Sequence, residues 1–186
     1  NKLFLSSYIL ENGLLFPDTF WDDFPFNLSV IRNVEKVVVS SEKYYHFMRA
    51  RAESETAKYR PEMYDKREEE HGWMLGLYKE WGIDDENSRE FIARRYIERF
   101  IGCVENIANP GCTLSFGDKL KEIRRMLKNP NVKWSLSLAK PGSSYMKIML
   151  IPIKWGIAFP VFFESVVISF VKRKFVKVFA KLKAGR

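Results

Sequence analysis

Two adjacent carboxylates open the question of chemistry in this chain. In TFWDDFPFN, Asp22 and Asp23 stand between Trp21 and Phe24, where a helix is about to begin. A carboxylate there has two uses. Asp is favoured at helix N-caps, where it accepts from free backbone N–H groups and the helix dipole stabilises its charge. The same placement sets a carboxylate at the rim of an apolar surface, within reach of a docked hydroxyl, as a general base requires. Neighbouring aspartates cannot both face one way, so one can take a proton while the other caps or orients. A second stretch, KYYHFMRARAES, brings His46, Arg49, Arg51 and Ser54. Guanidinium groups bind phosphate through paired donors, and a hydroxyl adds one more. Paired instead with surface carboxylates, the same arginines would be structural, and a lone His46 on a strand is by default a hydrogen-bonded core residue. His71, in EEEHGWM, reads as a helix-surface residue. No Ser-His-Asp order, HExxH, Walker loop or GxGxxG occurs.

The elements that must position these residues change along the chain. KLFLSSYILENG spaces Leu3, Phe4, Ile9 and Leu10 as a helix and stops at Asn12-Gly13. A second helix is expected from Asp22 or Asp23 to Arg32, with Pro25 in its first turn and Phe24, Leu28 and Ile31 inward. EKVVVS and EKYYHFMR, β-branched and aromatic, read as two short strands. After Pro61 the pattern is helical. One helix ends at Gly82. Another starts at Asp84-Asp85 with Phe91, Tyr96, Ile97, Phe100, Ile101 and Val104 on its apolar side, and a third is capped by Ser115 with Asp118 and stops before Pro130. The expected organisation is an α/β region over residues 1–60, a helical region over 61–140 and an amphipathic tail over 141–186.

Charge separates these regions further. Residues 1–60 carry eight basic and eight acidic side chains, residues 61–110 seven against twelve, and residues 111–186 sixteen against three. The net charge of +8 is therefore a property of the C-terminal part. There the longest uncharged run, Trp155 to Phe163, is nine residues, short of the roughly 20 a membrane-crossing helix needs. From Phe162 onward Phe163, Val166, Val167, Phe170, Val171, Phe175, Val178, Phe179 and Leu182 follow helical spacing, with Lys172, Arg173, Lys177 and Lys181 on the other side. That composition suits a helix lying in an anionic membrane surface, here through residues 146–183; the plainer reading is a helix covering a core. The tail is too aliphatic for a phosphate-tracking surface, so nucleic acid is not an expected partner. Cys103 and Cys112, the two cysteines, fit neither a disulfide scaffold nor a zinc site and are expected to be reduced core residues of an intracellular protein. The first residue is Asn1 and no signal-peptide pattern follows it, so a piece of a longer chain is expected.

The order of features in residues 1–60 resembles the C-terminal half of a family-2 glycosyltransferase domain of the GT-A type. The matching elements are Asn1-Lys2-Leu3-Phe4, Leu15-Phe16-Pro17, Asp22-Asp23-x-x-Phe26-Asn27, Val37-Val38-Val39, Tyr45-His46-Phe47 and Arg49/Arg51 with Ser54. The rest resembles the C-terminal extensions of bacterial surface-polysaccharide transferases. The resemblance implies an α/β fold, as part of a GT-A domain, followed by a mostly α-helical C-terminal region. It implies an inverting transfer of sugar from a nucleotide-sugar donor to a glycan or lipid-linked acceptor, peripheral on the cytoplasmic face of the membrane. Asp23 would be the base, with Asp22 in place of the family's usual Glu. Arg49, Arg51 and Ser54 would approach the donor diphosphate, and His46 a divalent ion, Mg or Mn. The nucleotide-binding half with its Asp-x-Asp motif is not in the sequence, so the chain by itself is expected to be inactive. The rival expectation is a non-catalytic, helical, membrane-associated interaction module in which Asp22 and Asp23 merely cap a helix.

Overall fold

The structure is a computed structural model and describes residues 2–19, 21–42 and 58–175. Among these, 66% are helical and none is in a strand, which overturns the α/β expectation. The reason is visible at the first expected strand. Residues 33–39 have no regular structure, and Val37, Val38 and Val39 are 72%, 93% and 90% exposed. A β-branched run becomes a strand only when a neighbouring edge takes its backbone N–H and C=O groups, and no described segment offers one. The second expected strand and its His46 lie outside the described residues.

Among the described residues eight helices follow in order: α1 (Ser6–Glu11), α2 (Asp23–Ile31), α3 (Met63–Glu80), α4 (Glu86–Ile107), α5 (Phe116–Leu127), α6 (Pro130–Leu138), α7 (Ser144–Trp155) and α8 (Ala158–Lys174). Their boundaries follow local signals. Asp85 caps α4 by accepting from the backbone N–H groups of Asn87 and Ser88, and Ser115 caps α5 by accepting from that of Asp118. Asn129 caps α6, with Pro130 at its first position. Gly82 leaves α3 at φ +66°, and Gly156 breaks the C-terminal segment into α7 and α8 at φ +69°, left-handed values that cost a side-chain-bearing residue energy.

Helix α4 is the centre. Ala93, Ile97 and Val104 are fully buried, with Phe100 and Ile101 at 2%; Ile97, Phe100, Ile101 and Val104 share one core with Tyr64 of α3, Ile123 and Met126 of α5, Val132 of α6, Met149 and Ile153 of α7 and Val161 and Ile168 of α8. Phe91, expected on this side, is exposed beneath the Arg94 guanidinium. It falls outside the arc that the buried positions sweep. A polar seam reinforces the packing: Tyr96 donates to Glu68 at 2.5 Å, Asn131 donates to the other Glu68 oxygen at 2.9 Å, and Asn129 donates to the Tyr64 hydroxyl at 2.8 Å. Both cysteines are buried free thiols, and burial pushes the Cys103 thiol up to about 12.

Helix α2 buries Phe26 and Val30, whereas the expected inward residues Phe24, Leu28 and Ile31 are only partly covered. Phe26 stacks on Phe16 at 3.9 Å and meets Phe4 edge-on at 5.8 Å. The Tyr8 hydroxyl donates to the Val30 carbonyl at 3.0 Å, joining α1 to α2. Two bonds tie this unit to α3: Trp81 Nε1 donates to the Arg32 carbonyl at 2.9 Å, and Lys66 Nζ donates to Thr19 Oγ1 at 3.0 Å.

Two stability measurements check this architecture. Phe100→Ala should destabilise by about 3–5 kcal/mol in denaturant unfolding, because it opens a cavity in a dense core. Val38→Ser should stay within about 0.5 kcal/mol of the parent, because nothing packs on it. The partly solvated Glu164 of α8 has a buried Oε2 without a hydrogen-bond partner, and burial raises its pKa from 4.5 to about 7. A carboxyl raised on folding gives stability that is fully present below 4.5 and lost as pH rises through about 7. Glu164→Gln should therefore melt higher than the parent above about pH 7, by on the order of 1 kcal/mol given the solvent screening.

Candidate anion-binding cleft

Three arginines meet where α2 crosses α3 and α4. Arg67, Glu70, His71 and Met74 occupy one face of α3 at helical spacing, and Arg95, Tyr96 and Arg99 face them from α4. Arg67 Nη1 donates to both oxygens of Glu70 at 2.7 Å, and Glu70 is 6% exposed. That pair is satisfied. Arg95 and Arg99 are not: neither guanidinium has a hydrogen bond or ion pair among the described residues, and each pKa is lowered first by burial. Around Arg95 the Glu70 charge opposes this and Arg67 adds to it; around Arg99 the charges of Arg67 and Arg95 add to it, and Glu70 and Glu98 oppose it. Arg99 nevertheless reaches solvent at its end. Three cations stand against the buried Glu70 and the exposed Glu98, whose charge acts on both Arg95 and Arg99.

The acidic pair lies at the same junction. The Arg67 guanidinium sits 3.6 Å above the centre of the Trp21 ring and Arg95 4.6 Å above that of Phe24, each a cation–π contact. These are the residues that flank Asp22 and Asp23. Trp21 is held at φ +60°, the one positive value outside glycine among the described residues, a strain of about 1–3 kcal/mol that persists only where surroundings enforce it. Asp22 occupies the N-cap position but has helical backbone angles and makes no side-chain cap bond. Asp23 begins the helix, and its carbonyl accepts from the Asn27 side chain. Both carboxylates are exposed, and among the described residues neither has a hydrogen-bond or ion-pair partner. The pair thus makes no side-chain cap bond, although Asp22 stands at the N-cap and Asp23 in the first turn of α2, and neither carboxylate is committed to a partner.

His71 corrects the sequence in another way. It is buried at 6%, with its ring 4.5 Å from that of Tyr96 and 6.3 Å from that of Trp134. Its Nε2 has no hydrogen-bond partner, and burial lowers its pKa, opposed by the nearby Glu68 charge. The cleft encloses only about 10 Å³, room for one water. Nothing larger than a water fits inside it. A roomier cavity of about 310 Å³ lies at the α3 N-terminus, lined by Tyr59, Tyr64, Asp65, Asn106 and Arg125 among others. Its polar groups are largely committed: Asn106 brackets the Arg60 backbone, and Arg125 binds Glu122 and Asp65.

The remaining expected site residues, His46, Arg49, Arg51 and Ser54, lie outside the described residues. Among the described residues no three His, Cys, Asp or Glu side chains converge to hold a metal ion, so these residues supply no donor set for the divalent ion that the resemblance implies. Sequence reasoning passed over Arg67, Arg95 and Arg99. Their signal was present, since Arg95 and Arg99 are one turn apart beside an apolar face, but nothing local says that α3 brings a third arginine opposite them. Comparison of the chain with protein families, curated proteins and solved structures finds no match.

The neutral, buried His71 carries a pH signature. Its pKa is depressed on folding, so the unfolded state binds the proton more readily, and stability falls as pH drops through 6.5. Denaturant midpoints measured across that range should show this loss, and His71→Leu should flatten it.

Proposed function

We propose that this chain serves sugar transfer from a nucleotide-sugar donor to an acceptor hydroxyl, with Asp23 as the base. The observation that carries the reading is that the rings on either side of the exposed, uncommitted Asp22 and Asp23, those of Trp21 and Phe24, cover the Arg67 and Arg95 guanidiniums, with Arg99 in the same cleft lining. The chemistry needs both signs of charge close together and not neutralising one another. Asp23 accepts the proton of the acceptor hydroxyl, and the freed oxygen attacks the anomeric carbon. The bond from that carbon to the diphosphate breaks, and the guanidinium ends of Arg95 and Arg99 meet the charge that develops on the leaving oxygen. Asp22 stands beside the base as an orienting carboxylate. The ordered likeness of residues 1–60 to family-2 glycosyltransferases is one of sequence alone, since its Val37–Val39 element forms no strand; this reading meets the donor charge on α4 in place of Arg49, Arg51 and Ser54.

Binding and turnover test this separately. Calorimetric titration with uridine, guanosine and thymidine diphosphates should find one that binds, and Arg95→Gln with Arg99→Gln should weaken it by about tenfold or more. In the complete enzyme, Asp23→Asn should leave donor affinity unchanged while lowering transfer from the matching nucleotide sugar by about a hundredfold or more. Nucleotide binding indifferent to the arginines, or near-normal transfer by the Asp23→Asn variant, rejects the proposal and points to a purely structural role for the acidic pair.

A further inference from the structure

Helix α8 has two faces of opposite fate. Ala158, Val161, Ser165 and Ile168 recur every three or four residues and are buried. They pack inward with α4, α5 and α7. Turned away from them by helical spacing, Phe159, Phe163, Val166, Val167 and Phe170 are 54%, 59%, 39%, 43% and 49% exposed. The stripe continues around the Gly156 corner to Ile157, Trp155 and, one turn back on α7, Ile151, all more than half exposed. Of the residues expected to follow one helical face, Phe163, Val166, Val167 and Phe170 do so on the outward side, and Val178, Phe179 and Leu182 lie outside the described residues. The inner face of α8 covers the core, as the plainer reading expects, and the outward apolar residues are left over from that packing. Scattered apolar side chains on a surface are ordinary, whereas a continuous stripe with four aromatic rings marks an interaction site.

Charge and shape select the partner. Exposed Lys147 and Lys154 flank the stripe on α7 and exposed Lys174 closes it on α8. Residues 172–186 carry seven basic side chains and no acidic one, and Glu164 is the single acid after Glu122. A second copy would bring two such basic surfaces together, and like charges oppose that. A partner helix needs a groove, and the stripe is the convex outer side of one helix and its corner; the two cavities described above are lined by residues before 126. No described helix is long and apolar enough to cross a membrane. What remains is a flat anionic surface with an apolar interior.

We propose that the outward face of α8, with the Trp155 corner, docks on an anionic lipid bilayer, the helix lying in the plane of the interface. Phe163 and Phe170 enter the acyl boundary while Lys147, Lys154 and Lys174 meet the headgroups. Glu105 holds the helix in this orientation from inside: Lys172 binds its carboxylate, Tyr145 donates to it at 2.6 Å, and the Lys172 ammonium lies 5.4 Å from the Tyr145 ring centre. The proposal does not rest on the transferase reading.

Sedimentation of the full chain with phosphatidylcholine vesicles, with and without phosphatidylglycerol, tests it. Binding should be about tenfold tighter or more with the anionic lipid. Brominated acyl chains should quench tryptophan fluorescence, and Trp155→Phe should remove that quenching. Phe163→Glu with Phe170→Glu should reduce binding by about tenfold or more while the circular-dichroism melt stays that of the parent, since both side chains are outside the core. Equal binding to both vesicle types overturns the proposal, as does binding unaffected by the double substitution. So does a lipid-free dimer that the same substitutions dissolve, or an acidic amphipathic peptide that this face binds more tightly than it does the vesicles.

Discussion

Everything in this molecule is arranged around the burial of one side of α4. Ala93, Ile97, Phe100, Ile101 and Val104 must be removed from water together, and their burial is the largest favourable term available to the chain. Residues on a helix cannot choose their directions independently. Once those positions face α5, α6, α7 and α8, the flank carrying Arg95 and Arg99 is committed to the groove against α3, and Glu105 is presented to Tyr145 and Lys172. Core and cleft are thus two sides of one constraint. The cations of the cleft are held partly out of water by packing that they do not themselves supply.

That origin explains why the cleft is electrostatically unfinished. Glu70 satisfies Arg67, but the next acids in its neighbourhood do not reach Arg95 or Arg99. The aspartates at the α2 N-terminus are close in the chain to the Trp21 and Phe24 rings that cover two of the guanidiniums, yet they stay in solvent. The segment thus carries exposed carboxylates beside a strained tryptophan whose ring covers one of the guanidiniums.

The helices were legible in the sequence wherever an end signal and a period coincided. Gly82, Asp85 and Ser115 mark the boundaries of α3, α4 and α5, and the spacing from Tyr96 to Val104 names the core. Helix α6 escaped because its nine residues carry little period of their own and are defined by Asn129 and Pro130. The Val37–Val39 run misled because β propensity states a preference for an edge that the described residues do not contain. His71 was misplaced for a similar reason: a polar residue in an acidic stretch of helix is normally on the surface, and only the approach of Tyr96 and Trp134 buries it. Lys172, placed by its charge on the polar side of the tail, turns inward because Glu105 waits there.

Local chemistry along the chain therefore determined where helices start and stop, which side of α4 is core, and that basic and apolar character accumulate together toward the C-terminus. These depend on neighbours within about four residues, through caps, steric limits and the 3.6-residue period. Which arginines share a cleft, whether Asp22 caps or stands free, and which face of α8 is left to the outside were decided by tertiary structure. Each depends on groups far apart in the chain, and the pattern within one helix fixes the spacing of its faces but not what comes to lie against them.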